Sequence, residues 1–213
     1  MKFRSYQQSR RVISSALTRT LIVNAALKLL ADKQSSSFSM DAVGAQAGVS
    51  RMTVFNCFPN KGKLLEAVCD AMAEQGGLAD VTDTLNTEKI DKAIALYVAS
   101  FGAFYTQHQH LLKGLVAHAN DDAELAQLLA RRSDVRRAGL QWLVQRWMGR
   151  DPNRAPNAEV KAKTEQLRAV LCLEVFELMA MPSFPLSTAT APVTQMVLAI
   201  LRPKQQRPIR ETS

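Results

Sequence analysis

Apolar residues recur along this chain at spacings of three and four positions, which is the pattern of helices with one buried face. Alternating, strand-like runs are absent from the sequence, and Gly and Pro gather at a few breaks between the periodic segments. The pattern therefore predicts an all-α fold. We expect helices over about 17–33, 40–47, 51–58, 61–75, 87–107, 111–116, 122–148, 158–181 and 191–201.

A tight turn between two short helices is predicted around residue 48. Gly48 can adopt the left-handed conformation that ends a helix within one residue, and Ser50 is placed to cap the next helix. Gly44 and Ala47 are small enough for two helices to cross closely. Residues 39–58 are therefore expected to form a helix-turn-helix, whose second helix can enter a major groove of DNA with its N-terminal end. Such patterns also arise by chance in helical bundles.

Composition and charge narrow the class of protein. The chain has 213 residues, of which 47% are hydrophobic, with 27 Lys and Arg against 19 Asp and Glu. A chain of this length buries a core without disulfides or metal, and the three widely spaced cysteines favour neither. The first 31 residues contain no acidic residue. A basic segment before a helix commonly binds the phosphates of a nucleic acid, and a solvated tail without a partner is the alternative. We expect a flexible arm over residues 1–16, in which Arg10 and Arg11 contact DNA.

Three blocks of sequence resemble the DNA-binding domain of TetR-type bacterial transcriptional regulators. They are the apolar run at 22–31, the segment 39–50 ending in Ala-Gly-Val-Ser, and the segment 53–61 followed by two leucines. The resemblance covers about residues 17–72, whereas the rest of the chain matches only in being helical and of suitable length. It implies a three-helix DNA-binding domain over 17–75, a helical effector-binding and dimerisation domain over 76–201, and a basic tail over 202–213.

The resemblance also implies roles for individual residues. The residues expected to contact bases are Arg51, Met52 and Thr53. The residues expected to contact phosphates are Ser39, Phe55 and Lys61. Phe55 stands where the family usually has a tyrosine, so it can offer only apolar contact or core packing. Met52 stands where glycine is common, and its bulk affects how closely the helix approaches DNA.

Physical chemistry assigns two of these roles independently of the resemblance. Arg51 can form a bidentate pair with guanine O6 and N7, worth about 1–3 kcal/mol of discrimination between bases. Lys61, at the start of a helix, can only hold a phosphate. Ser50 and Asn56 complete the predicted DNA-binding set, and a double-stranded operator is the expected partner.

The helix predicted over 158–181 is apolar over more than one stripe, as expected of a helix buried by its own domain and by a partner. Pairing it with the last helix across a twofold axis makes a dimer, as the resemblance also implies. Two recognition helices about 34 Å apart would then read a near-palindromic site. The predicted interface consists of Leu171, Val175, Leu178, Met179, Met196, Val197 and Ile200.

An effector pocket is weakly indicated by aromatic residues in the second domain, because ligand cavities are mostly apolar. The candidates for a small apolar or aromatic effector are Tyr97, Phe101, Phe104, Tyr105, Trp142, Trp147 and Phe176. Ordinary core packing is the alternative for each of them. No metal or other cofactor is expected, since the histidines lie on different helix sides without a completing ligand. The arginine run at 131–137 is predicted to be a solvated face, and Cys57 to be a small buried hydrophobe, with oxidant sensing as its alternative.

These observations predict a homodimeric, sequence-specific transcriptional regulator, most simply a repressor released from its operator by a small-molecule effector. The alternative is a DNA-bound scaffold that recruits a protein partner without a ligand. We do not expect an enzyme, because catalytic spacings and phosphate-binding loops are absent from the sequence. The N-terminus lacks the apolar region of a signal peptide, and the longest apolar stretch is too short to span a membrane. A cytoplasmic, nucleoid-associated bacterial protein is expected.

Overall fold

The computed structural model describes residues 2–32, 38–78, 81, 87–180 and 184–202, with side chains described from Ser14 onward. These residues form α-helices and one 3-10 turn at Leu186–Ala189, and no strand occurs among them, which confirms the all-α prediction. The helices are α1 Lys2–Ala31, α2 Met40–Ala47, α3 Arg51–Cys57, α4 Lys61–Gln75, α5 Ile90–Ala119, α6 Ala123–Trp147, α7 Ala158–Val170, α8 Leu173–Met179 and α9 Thr190–Leu201.

The start of α1 corrects the prediction for the N-terminus. The helix begins at Lys2 rather than near residue 17, so residues 2–16 are helical and not a flexible arm. This segment contains neither Gly nor Pro, and its Lys, Arg and Gln residues favour a helix, but it has no clear apolar stripe to reveal one. The side chains of Arg10 and Arg11 lie outside the described ones, as does the predicted tail beyond Arg202.

Two other helix boundaries differ from the prediction. The helices expected over 87–107 and 111–116 are one continuous helix, α5, because no Gly or Pro separates them. The helix expected over 158–181 is instead divided into α7 and α8, with Cys172 in an extended conformation between them. At this break Nη2 of Arg136 donates a hydrogen bond to the carbonyl oxygen of Leu171. That contact joins residues far apart in sequence, so local periodicity does not reveal it.

The described chain divides into two compact units. The first contains Met1–Ala79 and Phe104–Val135, and the second contains Asp80–Ala103 and Arg136–Ser213, so the division cuts through α5 and α6. The domain boundary that the sequence suggests at residue 75 stays a prediction. None of the helices that the structure describes combines the length and apolarity of a membrane span.

In the first unit α1 packs against α2, α3 and α4. The residues at the centre of this four-helix core are completely buried, and they include Ile22, Ala26, Leu30, Val43, Val54, Phe58, Leu64, Leu65 and Val68. The C-terminal end of α1 also meets α5, where a Cβ atom on Gly114 would overlap the carbonyl oxygen of Leu30. Only glycine allows the two helices to approach this closely.

In the second unit α9 packs against α7, α8 and the 3-10 turn. Its core is built from one apolar face of each helix, with Leu167, Phe176, Val193, Val197 and Leu201 all buried. Lys163 and Trp147 donate hydrogen bonds to the last carbonyl groups of α9, at Ile200 and Leu201. These donors satisfy backbone groups that the end of a helix leaves without intrahelical partners.

Candidate nucleic-acid interface

The turn between α2 and α3 has the geometry that the sequence predicts. Gly48 has a φ of 67°, and its N–H bonds back to the end of α2. Ser50 follows as the N-cap of α3, and its hydroxyl accepts a 3.1 Å hydrogen bond from the Thr53 N–H. Gly44 lies where the two helices cross, since a Cβ there would lie 3.1 Å from the carbonyl oxygen of Val49. The two helices are therefore held in a fixed, closely packed arrangement.

The helix α3 has one buried face and one exposed face. Val54 is completely buried, as is Phe58, which caps the end of the helix, and this matches their predicted spacing of four residues. On the other face Met52 is 69% exposed, and the Arg51 side chain is 66% exposed. Asn56 is exposed, and Thr53 and Phe55 are half-buried. The first turn of α3 therefore presents polar and apolar side chains to solvent from a rigid base.

Arg51 makes two contacts that hold its guanidinium group. Nη1 lies 2.9 Å from the Asp41 carboxylate on α2, and the guanidinium carbon lies 5.4 Å from the centre of the Phe55 ring. The sequence indicates for Asp41 only a favourable charge near the start of α2. Its contact with Arg51 depends on how the two helices cross, and a separation of ten residues gives no sign of it.

The two predicted serines act as helix caps. Ser39 accepts a 3.2 Å hydrogen bond from the Ala42 N–H, and Ser50 also lies 2.9 Å from the Thr53 hydroxyl. A hydroxyl that accepts a bond at a cap still carries its own hydrogen, so Ser39 can donate to a phosphate oxygen while it caps α2.

Lys61 lies at the start of α4, as predicted, but it already has an anionic partner. Its Nζ is 2.5 Å from Oδ2 of Asp122 and 5.3 Å from the centre of the Phe38 ring. The other oxygen of Asp122 accepts hydrogen bonds from the Glu124 and Leu125 N–H groups at the start of α6. Although burial by itself raises the pKa of Asp122, the bonds from Lys61 and these N–H groups hold the pKa below its usual value.

Arg19 of α1 is a further contact that sequence analysis misses. Nη1 donates a 2.8 Å hydrogen bond to the Cys57 carbonyl at the end of α3, and the guanidinium carbon lies 4.0 Å from the centre of the Phe58 ring. These contacts fix the C-terminal end of α3 against α1. Cys57 itself is half-buried, and no pattern in the sequence pairs it with Arg19.

The arginine run on α6 is only partly the solvated face that the sequence suggests, since it is half-buried at two of its four arginines. Arg132 forms an ion pair with Asp70, and Arg137 forms one with Glu165. Arg136 lies with its guanidinium carbon 4.2 Å from the centre of the Phe101 ring. Most of the run therefore makes tertiary contacts, because long arginine side chains reach partners on neighbouring helices.

Most of the predicted effector-pocket residues are packed inside the protein. Five of the seven are buried, and the two tryptophans are half-buried. Within the second unit the Tyr97 and Phe101 ring centres are 5.0 Å apart, and within the first unit Phe104 lies 5.1 Å from the ring of His108. Burial lowers the pKa of His108, partly offset by a hydrogen bond to the Met72 backbone. The pocket stays a prediction.

Two cavities in the described part of the chain are lined by none of these seven residues. One, of about 500 Å³, belongs to the first unit and has Lys61, His118 and Asp122 in its wall. The other, of about 320 Å³, belongs to the second unit and is lined by the loop between α6 and α7 together with Gln145. The walls of both mix polar and apolar surface, unlike the mostly apolar cavity that the sequence suggests. The described residues include no cluster of three metal-binding side chains.

The predicted dimer residues fall into two groups. Leu171 and Val197 are buried within the chain, whereas Leu178 and Met179 are 79% and 41% exposed. The remaining three, Val175, Met196 and Ile200, are half-buried. The exposed pair lies on α8, so this short helix presents apolar surface that the described residues leave uncovered.

Comparisons with known proteins agree with this architecture. Residues 22–68 match the family model of bacterial regulatory proteins of the tetR family. A TetR-family structure from Syntrophomonas wolfei has a TM-score of 0.68 at 14% identity, covering 87% of this chain and 95% of its own. The TetR-family regulator PfmR of Thermus thermophilus has a TM-score of 0.59 at 16% identity, covering 87% and 99%. A transcriptional regulator from Rhodococcus sp. Rha1 has a TM-score of 0.62 at 15% identity, covering 86% and 95%. A search of curated proteins found no match.

The fold and the matched segment together define a class of protein. Residues 22–68 contain the helix-turn-helix and match the TetR-family model, which confirms the resemblance drawn from the sequence. The chain has the fold of TetR-type transcriptional regulators, with this domain in front of a helical C-terminal part.

Proposed function

We propose that this protein is a homodimeric repressor of the bacterial cytoplasm that binds a specific operator through α3. The observation that carries the proposal is the division of α3 into a buried face and an exposed face. Val54 anchors the helix, while Arg51 and Met52 project from its first turn. A helix presented in this way can enter a major groove and contact base edges.

The predicted DNA contacts divide into two kinds with different consequences. Arg51 and Thr53 would read bases, whereas Ser39 and Lys61 would hold phosphates and set the register. To reach a phosphate, Lys61 must exchange its ion pair with Asp122 for a bond to the nucleic acid. Phosphate binding by Lys61 is therefore expected to be weaker than that of an uncommitted lysine.

Dimerisation is proposed to use the apolar surface of α8. Leu178 and Met179 are neighbours on this helix and both are exposed, and contiguous exposed apolar surface is a mark of interaction sites. A twofold axis beside α8 would bury both residues of each copy. Two recognition helices would then read two half-sites.

Release by a small-molecule effector is part of the proposal, and a DNA-bound scaffold without an effector is the second candidate. The second candidate is favoured by one observation, that none of the seven aromatic candidates lines either of the two cavities described above. A ligand screen by thermal shift, together with a pull-down in the presence of operator DNA, separates the two. Stabilisation by an apolar compound supports effector release, whereas capture of a protein partner without such stabilisation supports the scaffold.

Operator binding is tested by mobility shift with genomic fragments at physiological salt, and failure to prefer any sequence would refute the proposal. Arg51→Ala is expected to lower discrimination at one base pair of each half-site, whereas Lys61→Ala should weaken binding to all sequences alike. Arg150→Ala is the matched control, because it removes one exposed positive charge from the loop after α6. It is expected to leave the preference for the operator unchanged.

A further inference from the structure

Asp41 lies beside the arginine that the proposed function assigns to base recognition. Its Oδ2 is 2.9 Å from Nη1 of Arg51, although the two residues belong to different helices. Both side chains are mostly exposed, at 60% for Asp41 and 66% for Arg51. An exposed ion pair of this kind adds little to stability. Its main physical effect is therefore on where the guanidinium group is held.

A second contact restricts the same guanidinium group. Phe55 lies one helical turn after Arg51, with its ring centre 5.4 Å from the guanidinium carbon, within the range of a cation–π contact. A free arginine side chain has many rotamers, and fixing it on a base lowers its conformational entropy. Because Asp41 and Phe55 already restrict Arg51 in the free protein, less of that entropy remains to be lost on binding DNA.

We propose that Asp41 is a positioning residue for base recognition, which fixes Arg51 for bidentate bonding to guanine and keeps it from binding phosphate. The proposal rests on the proposed function, specifically on base contact by Arg51. The guanidinium group has five N–H donors, so one bond to Asp41 leaves enough donors for O6 and N7 of a guanine. The carboxylate also offsets the charge of Arg51, which reduces its attraction to the phosphates of any DNA sequence.

The test begins with selection of the operator by the full chain from random duplexes. Binding is then measured by fluorescence anisotropy, over a range of salt, for the operator, for its single base-pair variants and for a random duplex. The base pair at which Arg51→Ala loses discrimination identifies the position that Arg51 reads. Asp41→Asn is expected to reduce discrimination at that base pair about tenfold and to leave other positions unchanged.

Asp41→Asn is also expected to change binding to random DNA. The freed Arg51 can neutralise one more phosphate, so the affinity should rise and the slope of log K against log salt should steepen by about 0.9. Glu74→Gln is the matched control, because it removes one exposed negative charge from α4 without a change at Arg51. This variant should raise the affinity for all sequences alike and keep the base preference.

A double variant separates positioning from a direct role. If Asp41 acts through Arg51, adding Asp41→Asn to Arg51→Ala should cause no further loss of discrimination. Asp41 is exposed, so the variants are expected to fold, which circular dichroism checks. Asp41→Ser is a second neutral variant, with a side chain too short to reach Arg51.

Three results would overturn the positioning role alone: unchanged discrimination in both neutral variants, a loss at a different base pair, or additive losses in the double variant. If the wild-type protein selects no sequence from the random duplexes, the proposed function itself is refuted. An Arg51→Ala variant that keeps every base preference would refute base contact by Arg51, and the positioning role with it.

Discussion

Replacing Asp122 removes two kinds of contact that the structure places on one carboxylate. Oδ1 caps α6 through hydrogen bonds of 3.1 Å from the Glu124 and Leu125 N–H groups. Oδ2 forms the 2.5 Å ion pair with Lys61 at the start of α4. The same side chain therefore stabilises the beginning of one helix and joins it to another.

The expected loss of stability follows from these contacts. An N-cap contributes about 1 kcal/mol to the free energy of unfolding. The Lys61 and Asp122 side chains are only 31% and 18% exposed, so their pair lies near the upper end of the range for surface pairs, about 1 kcal/mol. Asp122→Ala should therefore cost about 2 kcal/mol, which for a chain of this size lowers Tm by about 4–8 °C. Asp122→Asn keeps an acceptor for the cap, so about half of this loss is expected.

Thermal unfolding followed by circular dichroism measures both variants. Asp121→Ala is the control, because the neighbouring carboxylate is exposed and its removal should change the stability by less than about 0.5 kcal/mol. If Asp122→Ala and Asp122→Asn melt at the same temperature, the cap contributes nothing and the assignment of two roles is wrong. If neither differs from wild type, the ion pair does not contribute either.

The pKa of Asp122 gives this prediction a pH dependence. Because the pKa is lower in the folded chain than in the unfolded chain, the unfolded state binds more protons as the pH falls. The stabilisation is complete above the unfolded value of about 4 and is lost as the pH falls through the lower folded value. The difference in Tm between wild type and Asp122→Asn should therefore be constant near neutral pH and should disappear in strong acid. A difference that grew in acid would contradict the depressed pKa.

Three further substitutions test other parts of the structure. Gly114→Ala should lower the free energy of unfolding, measured in urea, by about 2 kcal/mol. Overpacking against Leu30 costs roughly 3 kcal/mol, and the higher helix propensity of alanine offsets about 1 kcal/mol of this loss. Unchanged stability would contradict the close approach of α5 to α1. Ser39→Ala should cost about 1 kcal/mol by removing the cap bond to Ala42, whereas Ser39→Asp should restore most of it, and equal melting of both variants would contradict capping. Leu178→Glu should shift the sedimentation coefficient from dimer to monomer with little change in the helical signal, because this side chain is 79% exposed; a persistent dimer would exclude α8 from the interface.

Local sequence patterns determined much of the helix-turn-helix. The φ of Gly48, the cap at Ser50 and the burial of Val54 and Phe58 all follow from residues within one or two helical turns. Such features depend on backbone preferences and on the 3.6-residue repeat, which a sequence displays directly. The same applies to the limits of α2 and α4.

Other predictions lacked a local signal. The division between α7 and α8 occurs where Arg136 bonds to the Leu171 carbonyl, and apolar periodicity continues through it. The helix over residues 2–16 was missed because this segment has no apolar stripe, and the prediction of helices relied on that periodicity. The seven aromatic residues could not be assigned to a cavity, because both core packing and ligand binding select apolar side chains.

The sequence by itself thus determined the class of fold, the turn near residue 48 and the face of α3 that projects from the domain. Only the tertiary structure decided the partners of the charged side chains: Asp41 for Arg51, Asp122 for Lys61 and the end of α3 for Arg19. Burial of apolar side chains follows the 3.6-residue repeat of the helix, so it can be predicted from the sequence alone. An ion pair between helices depends on the positions of two distant backbones and on one rotamer at each end, and these are set only when the helices pack.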